Sequence, residues 1–327
     1  WGTDKFGFSS GITQPPLLAI SILHIYKTAK NRGKAQKFLE EMLPKLDKYH
    51  NYLKKYRDGE GSGLLTIIHP WESGTDNSPR FDKYLLEIDL KDIPKEVIQI
   101  VRRFRTDIKI GEKTTRPLME DYYRYIYLIF LYRNLGWNYR KIVADSPFAI
   151  KDTFFSSIWA ASNLALSDLF MLTGDKIKAK KFKIMAEQTR RAIKKSFDPK
   201  EETIALFAPI IAGGIDEEQF KILMRILKDR KRFWSKFPVP STSLDSSNFD
   251  SFRYWRGPLW PIINMLLIEG LTSQNKIQKE LLKKTLDLIK KKGFFECYNS
   301  QNGNPAGFPN FSWTAAIFTY LYCKYYL

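Results

Sequence analysis

The chain has 327 residues, of which 44% are hydrophobic, enough for a sizeable core. Its 53 Lys and Arg against 35 Asp and Glu leave a formal charge of +18. The lysines are spread through stretches such as 176–183 and 276–292, alternating with apolar positions, so they read as solvated helix faces and nucleic acid is not an expected partner. Two cysteines, Cys297 and Cys323, and three scattered histidines, His24, His50 and His69, make neither a disulfide framework nor ligand spacing, so no metal or other cofactor is expected. No apolar run approaches the ~18 residues of a membrane span, and no signal peptide is evident, so a cytoplasmic protein with no membrane partner is expected.

In chain order, apolar residues recur at three- and four-residue steps through 17–29, 36–56, 119–135, 151–173, 177–196, 217–228, 259–270, 276–291 and 313–326, which predicts helices. Asp152 or the turn at Pro147 opens the fourth of these and Gly174 closes it. Strand-like runs are few and short, at 64–68, 108–110 and 204–207. Loops rich in Gly and aromatics fall at 58–82, 233–256 and 293–312. Linker composition is lacking throughout, so residues 1–327 read as one domain. Periodicity alone permits either a closed toroid or a solenoid of helix pairs, but no repeat of the usual solenoid length is visible.

Residues 69–82, His-Pro-Trp-Glu-Ser-Gly-Thr-Asp-Asn-Ser-Pro-Arg-Phe-Asp, pack three acids and two aromatics among turn formers. That mixture cannot form one apolar face, so it predicts a loop that carries chemistry. A second acid among aromatics, Glu296, stands in Phe294-Phe295-Glu296-Cys297-Tyr298-Asn299. Two carboxylates on opposite sides of a bound sugar suffice to hydrolyse a glycoside. The competing readings are structural: Asp76 as a helix cap before Asn77, and Glu296 as a surface residue at the end of a Lys-rich helix.

The first run resembles the His-Pro-Trp-Glu-Ser-Gly-Met-Asp-Asn-Ser-Pro-Arg-Trp-Asp pattern of glycoside hydrolase family 63 and its relatives, with Thr75 in place of Met and Phe81 in place of Trp. Tyr254-Trp255-Arg256-Gly257-Pro258-Leu259-Trp260 and Phe311-Ser312-Trp313-Thr314-Ala315-Ala316 match later blocks in the right order. Gln14-Pro15-Pro16, Arg116-Pro117 with Asp121-Tyr122, and Gly136-Trp137 resemble the branch of mannosylglycerate and glucosylglycerate hydrolases. The resemblance implies an all-α (α/α)6 barrel and an inverting α-glycosidase, with Asp76 as general acid and Glu296 as general base some 6.5–9.5 Å apart. It also implies that family members carry sequence ahead of this point, so that a chain opening at Trp1 reads as a fragment or processed form. A small α-glucoside or α-mannoside, conceivably of glycerate, is the expected substrate. The alternatives are an α-glucosidase acting on oligosaccharides and a non-catalytic carbohydrate-binding helical protein.

Other roles follow from residue type and that resemblance. Glu72 is expected to accept sugar hydroxyls or tune the acid. Trp71, Tyr254, Trp255 and Trp313 offer faces for a pyranose, the last of them, like Trp260, equally suited to the core. Asp82 and Arg256 are expected to bind sugar hydroxyls or to pair with each other. Gln14 points to the leaving-group subsite, and Arg116 to a bidentate clamp on a leaving-group carboxylate.

Overall fold

The computed structural model describes residues 10–107, 115–271 and 276–327. The expected strand at 108–110 lies outside them. Thirteen helices appear among the described residues: α1 (Leu18–Thr28), α2 (Arg32–Arg57), α3 (Asp82–Leu85), α4 (Lys95–Phe104), α5 (Met119–Asn134), α6 (Tyr139–Asp145), α7 (Thr153–Leu172), α8 (Lys176–Lys195), α9 (Ala208–Ala212), α10 (Glu217–Leu227), α11 (Pro261–Gly270), α12 (Lys276–Lys292) and α13 (Ser312–Tyr326). Every helix expected from periodicity is present. The short α3, α4, α6 and α9 were not anticipated, because helices this short leave too few repeats to register.

The order of packing is that of an (α/α)6 barrel. Helix α7 packs against α1, α8 and α9, α9 against α11, and α11 against α12 and α13. Contact returns from α13 to α1 through Tyr320, whose hydroxyl lies 3.2 Å from Nε2 of His24. The sequence explains which helices lie inside. Helix α7 has fourteen buried residues in twenty, including Trp159 and Asn163, whereas α8 buries one stripe, Ala179, Phe182, Met185, Ala186, Thr189 and Ile193, and turns its lysines outward. Asp152 caps α7 by accepting from the Phe155 N–H at 2.7 Å.

Two small antiparallel sheets hold the functional loops. β1 (Thr66–Ile67) pairs with β2 (Ile150–Lys151), and β3 (Phe295–Tyr298) with β4 (Pro305–Pro309). The run 204–207, expected as a strand, is instead a 3-10 turn leading into α9. Thr203 caps it through Ala205 N–H, and four consecutive buried apolar residues fit a buried helix as well as a strand. The β3–β4 hairpin was expected only as a loop, since its glycines and asparagines masked two short strands.

Candidate active site

The 69–82 run is a chain of tight turns pinned from several sides. His69 opens a 3-10 turn over Pro70–Ser73; its Nδ1 accepts the Trp71 N–H at 3.2 Å, and its Nε2 then donates to the Tyr125 carbonyl at 3.0 Å. Burial pushes this imidazole down to about 4, so it is neutral and can play both parts. A second turn closes from Ser78 N–H to the Thr75 carbonyl, and Asp76 stands at its first corner. Tyr125, from α5, donates its hydroxyl to the Asp76 carbonyl at 2.9 Å. Arg80 ties the run to α7 through Asp152, 2.6 Å away, and to Thr75 at 3.1 Å.

Asp76 forms no ion pair among the described residues and keeps partial access to solvent. Desolvation raises its carboxyl to about 7, and the nearby charges of Glu296 and Asp121 add to the rise while Arg116 opposes it. A carboxylic acid that holds its proton near neutrality is what a general acid requires.

Glu296 lies in β3, 6% exposed, facing the same region from the other end of the sequence. Its carboxylate accepts both terminal nitrogens of Arg116, the Phe308 N–H at 3.1 Å and, more distantly, the Tyr254 hydroxyl at 3.4 Å. The Arg116 guanidinium also stacks against the rings of Tyr254 and Phe308, 5.0 and 4.4 Å from their centroids. Burial works against the charge of Arg116, but the bond and charge of Glu296 more than offset it and raise the guanidinium above its ordinary value. Gly307, with φ +74° in β4, leaves the space that the Glu296 carboxylate occupies.

Arg116 is therefore a correction. It clamps a carboxylate bidentately, but the carboxylate is Glu296. Both of its terminal nitrogens are engaged there, so they are not offered to a leaving-group carboxylate. Glu72 is a second correction. It is fully buried, closed off from a sugar, and accepts the Thr13 N–H (2.8 Å) and hydroxyl (3.3 Å), an Arg57 nitrogen (2.6 Å) and the Ile68 N–H (2.7 Å). Nor is it among the largest influences on Asp76.

Asp82 and Arg256 realise their structural alternative, pairing through two bonds of 2.9 and 2.5 Å, while Arg256 Nε reaches Asn77 Oδ1 at 3.4 Å. Trp255, expected to touch sugar, is 2% exposed and stacks on Trp260 at 3.9 Å with planes 4° apart. Its φ of +57° is the reason: this left-handed kink turns consecutive side chains apart, Trp255 into the core and Tyr254 toward Glu296. Trp71 is half-buried, packed against His69 and Tyr125. Gln14 is exposed and donates to the Trp71 carbonyl at 3.1 Å.

A cavity of about 210 Å³ is lined by Gln14, Ser73, Gly74, Trp255 and Trp313, with apolar side chains such as Phe154 completing it. Trp313, at the first turn of α13, is 41% exposed. A larger cavity, about 1000 Å³, lies between the end of α2 and α6, and the lining of neither cavity includes Asp76 or Glu296.

Three residues of the site were not chosen from sequence. Asn77 donates to Asp121 at 3.2 Å and lies 3.4 Å from the Tyr125 hydroxyl, so Asp121, Tyr125 and Asn77 together hold the Asp76 turn against α5. Asp121 also caps α5 at Leu118 N–H, 2.8 Å. Its place four residues before Tyr125, on one helix face, was the available signal.

The chain and its fold have counterparts among known proteins. The domain described as "Mannosylglycerate hydrolase MGH1-like glycoside hydrolase domain" matches residues 1–314. The chain belongs to this family. A mannosylglycerate hydrolase of Thermus thermophilus is 32% identical over 97% of this chain and 79% of its own length. A glucosylglycerate hydrolase of Mycolicibacterium hassiacum is 28% identical over 94% of this chain and 74% of its own. The crystal structure of the family 63 mannosylglycerate hydrolase from Thermus thermophilus superposes with a TM-score of 0.87 at 30% identity, covering 96% of this chain and 78% of that one. The protein is thus a glycoside hydrolase with the family's barrel, and no helix among its described residues is long and apolar enough to cross a membrane.

Proposed function

We propose that the hydrolase cleaves a small α-glycoside of glycerate, with mannose or glucose as the sugar, and inverts the anomeric centre. The observation that carries this reading is the contrast between its two carboxyl groups: Asp76, without an ionic partner and raised to about 7, and Glu296, gripped by a guanidinium. Asp76 donates its proton to the glycosidic oxygen as the C1–O bond breaks. Glu296 takes a proton from water as that water's oxygen bonds to C1 from the opposite face. Tyr254 and Arg116 orient the base, Tyr125 and Asn77 hold the turn of the acid, and Trp313 offers a ring to the sugar. Gln14, whose amide stands at the cavity beside Trp313, serves the leaving group.

The glycerate assignment draws on the named activities of the relatives from Thermus thermophilus and Mycolicibacterium hassiacum. Two free thiols, Cys297 and Cys323, suit a reducing compartment such as the cytoplasm. NMR of the first-formed sugar tests the mechanism: an α-mannosyl- or α-glucosylglycerate should give the β-anomer first, and initial appearance of the α-anomer would refute inversion. Hydrolysis of neutral α-linked oligosaccharides faster than of either glycerate glycoside would refute the substrate.

A further inference from the structure

Residues 11–14 form an extended arm with no regular structure of its own, yet it carries Gln14 to the cavity. The arm is fastened at every step. The Gly11 carbonyl accepts Arg57 Nη2 at 2.7 Å, and the same nitrogen reaches Glu72 at 2.6 Å. Thr13 gives both its N–H and its hydroxyl to Oε1 of Glu72. The Gln14 carbonyl accepts the Tyr49 hydroxyl at 3.1 Å, which leaves the Gln14 amide set by the Trp71 carbonyl. The other oxygen of Glu72 accepts the Ile68 N–H, so one carboxylate joins the arm, α2 and the strand that leads into the acid's turn.

We infer that the buried Glu72–Arg57 pair is a positioning device for the reaction, a latch that sets the Gln14 arm relative to Asp76. It rests on Gln14 serving the leaving group. The chemistry demands a carboxylate. Four donors converge on Glu72, three on one oxygen and one on the other, and an amide of the same shape would turn an NH2 toward one set of donors and leave buried N–H groups unpaired. Arg57 supplies the matching charge: one terminal nitrogen reaches both the Gly11 carbonyl and Glu72, while the guanidinium lies 5.1 Å from the Tyr139 ring. Neither residue touches the sugar. Their effect passes through Gln14, which lies far ahead of Asp76 in the chain and outside its turn, so loosening the latch moves leaving-group recognition while Asp76 stays held by Tyr125 and Asn77.

The experiment is a double-variant cycle on two substrates: α-mannosylglycerate, or the glucosyl compound where that is the better substrate, and an aryl glycoside of the same sugar whose leaving group makes no use of Gln14. Glu72→Gln, Gln14→Ala and the double variant are compared by kcat/KM and KM. Each single variant should lose roughly 10–100-fold on the glycerate glycoside, the worth of a hydrogen bond to a charged group, with a much smaller loss on the aryl glycoside. The double variant should be no worse than the poorer single one, because a freed arm has no recognition left to lose. Should Glu72→Gln not fold, Thr13→Val removes one bond of the latch and should show a selective loss of about threefold. A selective Gln14→Ala with an unselective Glu72→Gln or Thr13→Val, or single losses that multiply in the double variant, overturns the latch alone. An unselective Gln14→Ala overturns the leaving-group reading on which it rests.

Discussion

Gly307→Ala should disable the base without touching it. A Cβ built at Gly307 overlaps Oε2 of Glu296 and stands 2.8 Å from its Cβ and 3.1 Å from its carboxyl carbon. The Cβ of Glu296 is fixed by strand β3, so the side chain cannot retreat as a whole, and the carboxylate has to swing off Arg116 and the Phe308 N–H. A φ of +74° adds about 1–2 kcal/mol of backbone strain for any residue with a Cβ. Displacement of a reacting group by about 1 Å costs on the order of 10²-fold, so the kinetic effect outweighs the loss of stability in what is measured on folded enzyme. Gly303→Ala supplies the control. It lies in the same hairpin at φ +72°, but its Cβ would meet the Phe237 ring, at 2.7 Å, and not the base. Both variants should melt lower by similar amounts, while kcat on the preferred glycoside, normalised to folded protein, should fall about 100-fold only in Gly307→Ala. Turnover within fivefold of wild type in Gly307→Ala, or equal losses in the two variants, would refute the argument that this glycine is the cradle of the base.

Asp76→Asn and Glu296→Gln, which nearly conserve shape, should each reduce turnover by ~10²–10⁴-fold while near-ultraviolet circular dichroism is retained; more than about a tenth of wild-type activity removes that residue from its role. Asp121→Asn takes away a negative charge that raises Asp76, so the basic limb of the kcat/KM profile, where the acid loses its proton near 7, should move to lower pH; an unchanged or upward-shifted limb contradicts the assignment. Because the folded-state value of Asp76 lies above its unfolded one, the native protein binds the extra proton and stability from this group is lost as pH rises from about 4 toward about 7. Asp76→Asn should accordingly raise Tm more at pH 8 than at pH 5, as calorimetry at the two values would show; an equal change at both would mean that Asp76 is not held protonated.

The sequence revealed the long helices and singled out two acids through separate signals, and the structure shows why the helices were legible. The solvated lysine faces of α8 and α12 and the nearly all-apolar α7 and α11 differ in pattern, so outer and inner helices are legible one by one. Asp76 was visible because turn formers surround it. What stayed hidden was pairing over long range. Arg116 and Glu296 are 180 positions apart, and Arg256 and Asp82 are 174 apart, so nothing local announces that each loop arginine is occupied by the chain's own carboxylate. Glu72 misled for the opposite reason. It stands in the catalytic run, but the 3-10 turn at Pro70–Ser73 points it inward toward Thr13 and Arg57.

On the proposed roles of Asp76 and Glu296, the two arginines also explain how a site with one carboxyl protonated and one ionised can be built beside a chain charged +18. Net charge does not decide the matter, because the surface lysines are screened over about 10 Å while the groups in contact are not. The partition is made by contact. Arg116 is paired with Glu296 and Arg256 with Asp82, so neither guanidinium forms an ion pair with Asp76, and Tyr125 donates to the Asp76 backbone carbonyl. Moving one cation would reverse the assignment: a guanidinium transferred from Glu296 to Asp76 would stabilise the acid's charge and strip the base of its orientation. The proposed order of acid and base thus rests less on the two carboxyl residues than on which of them holds an arginine.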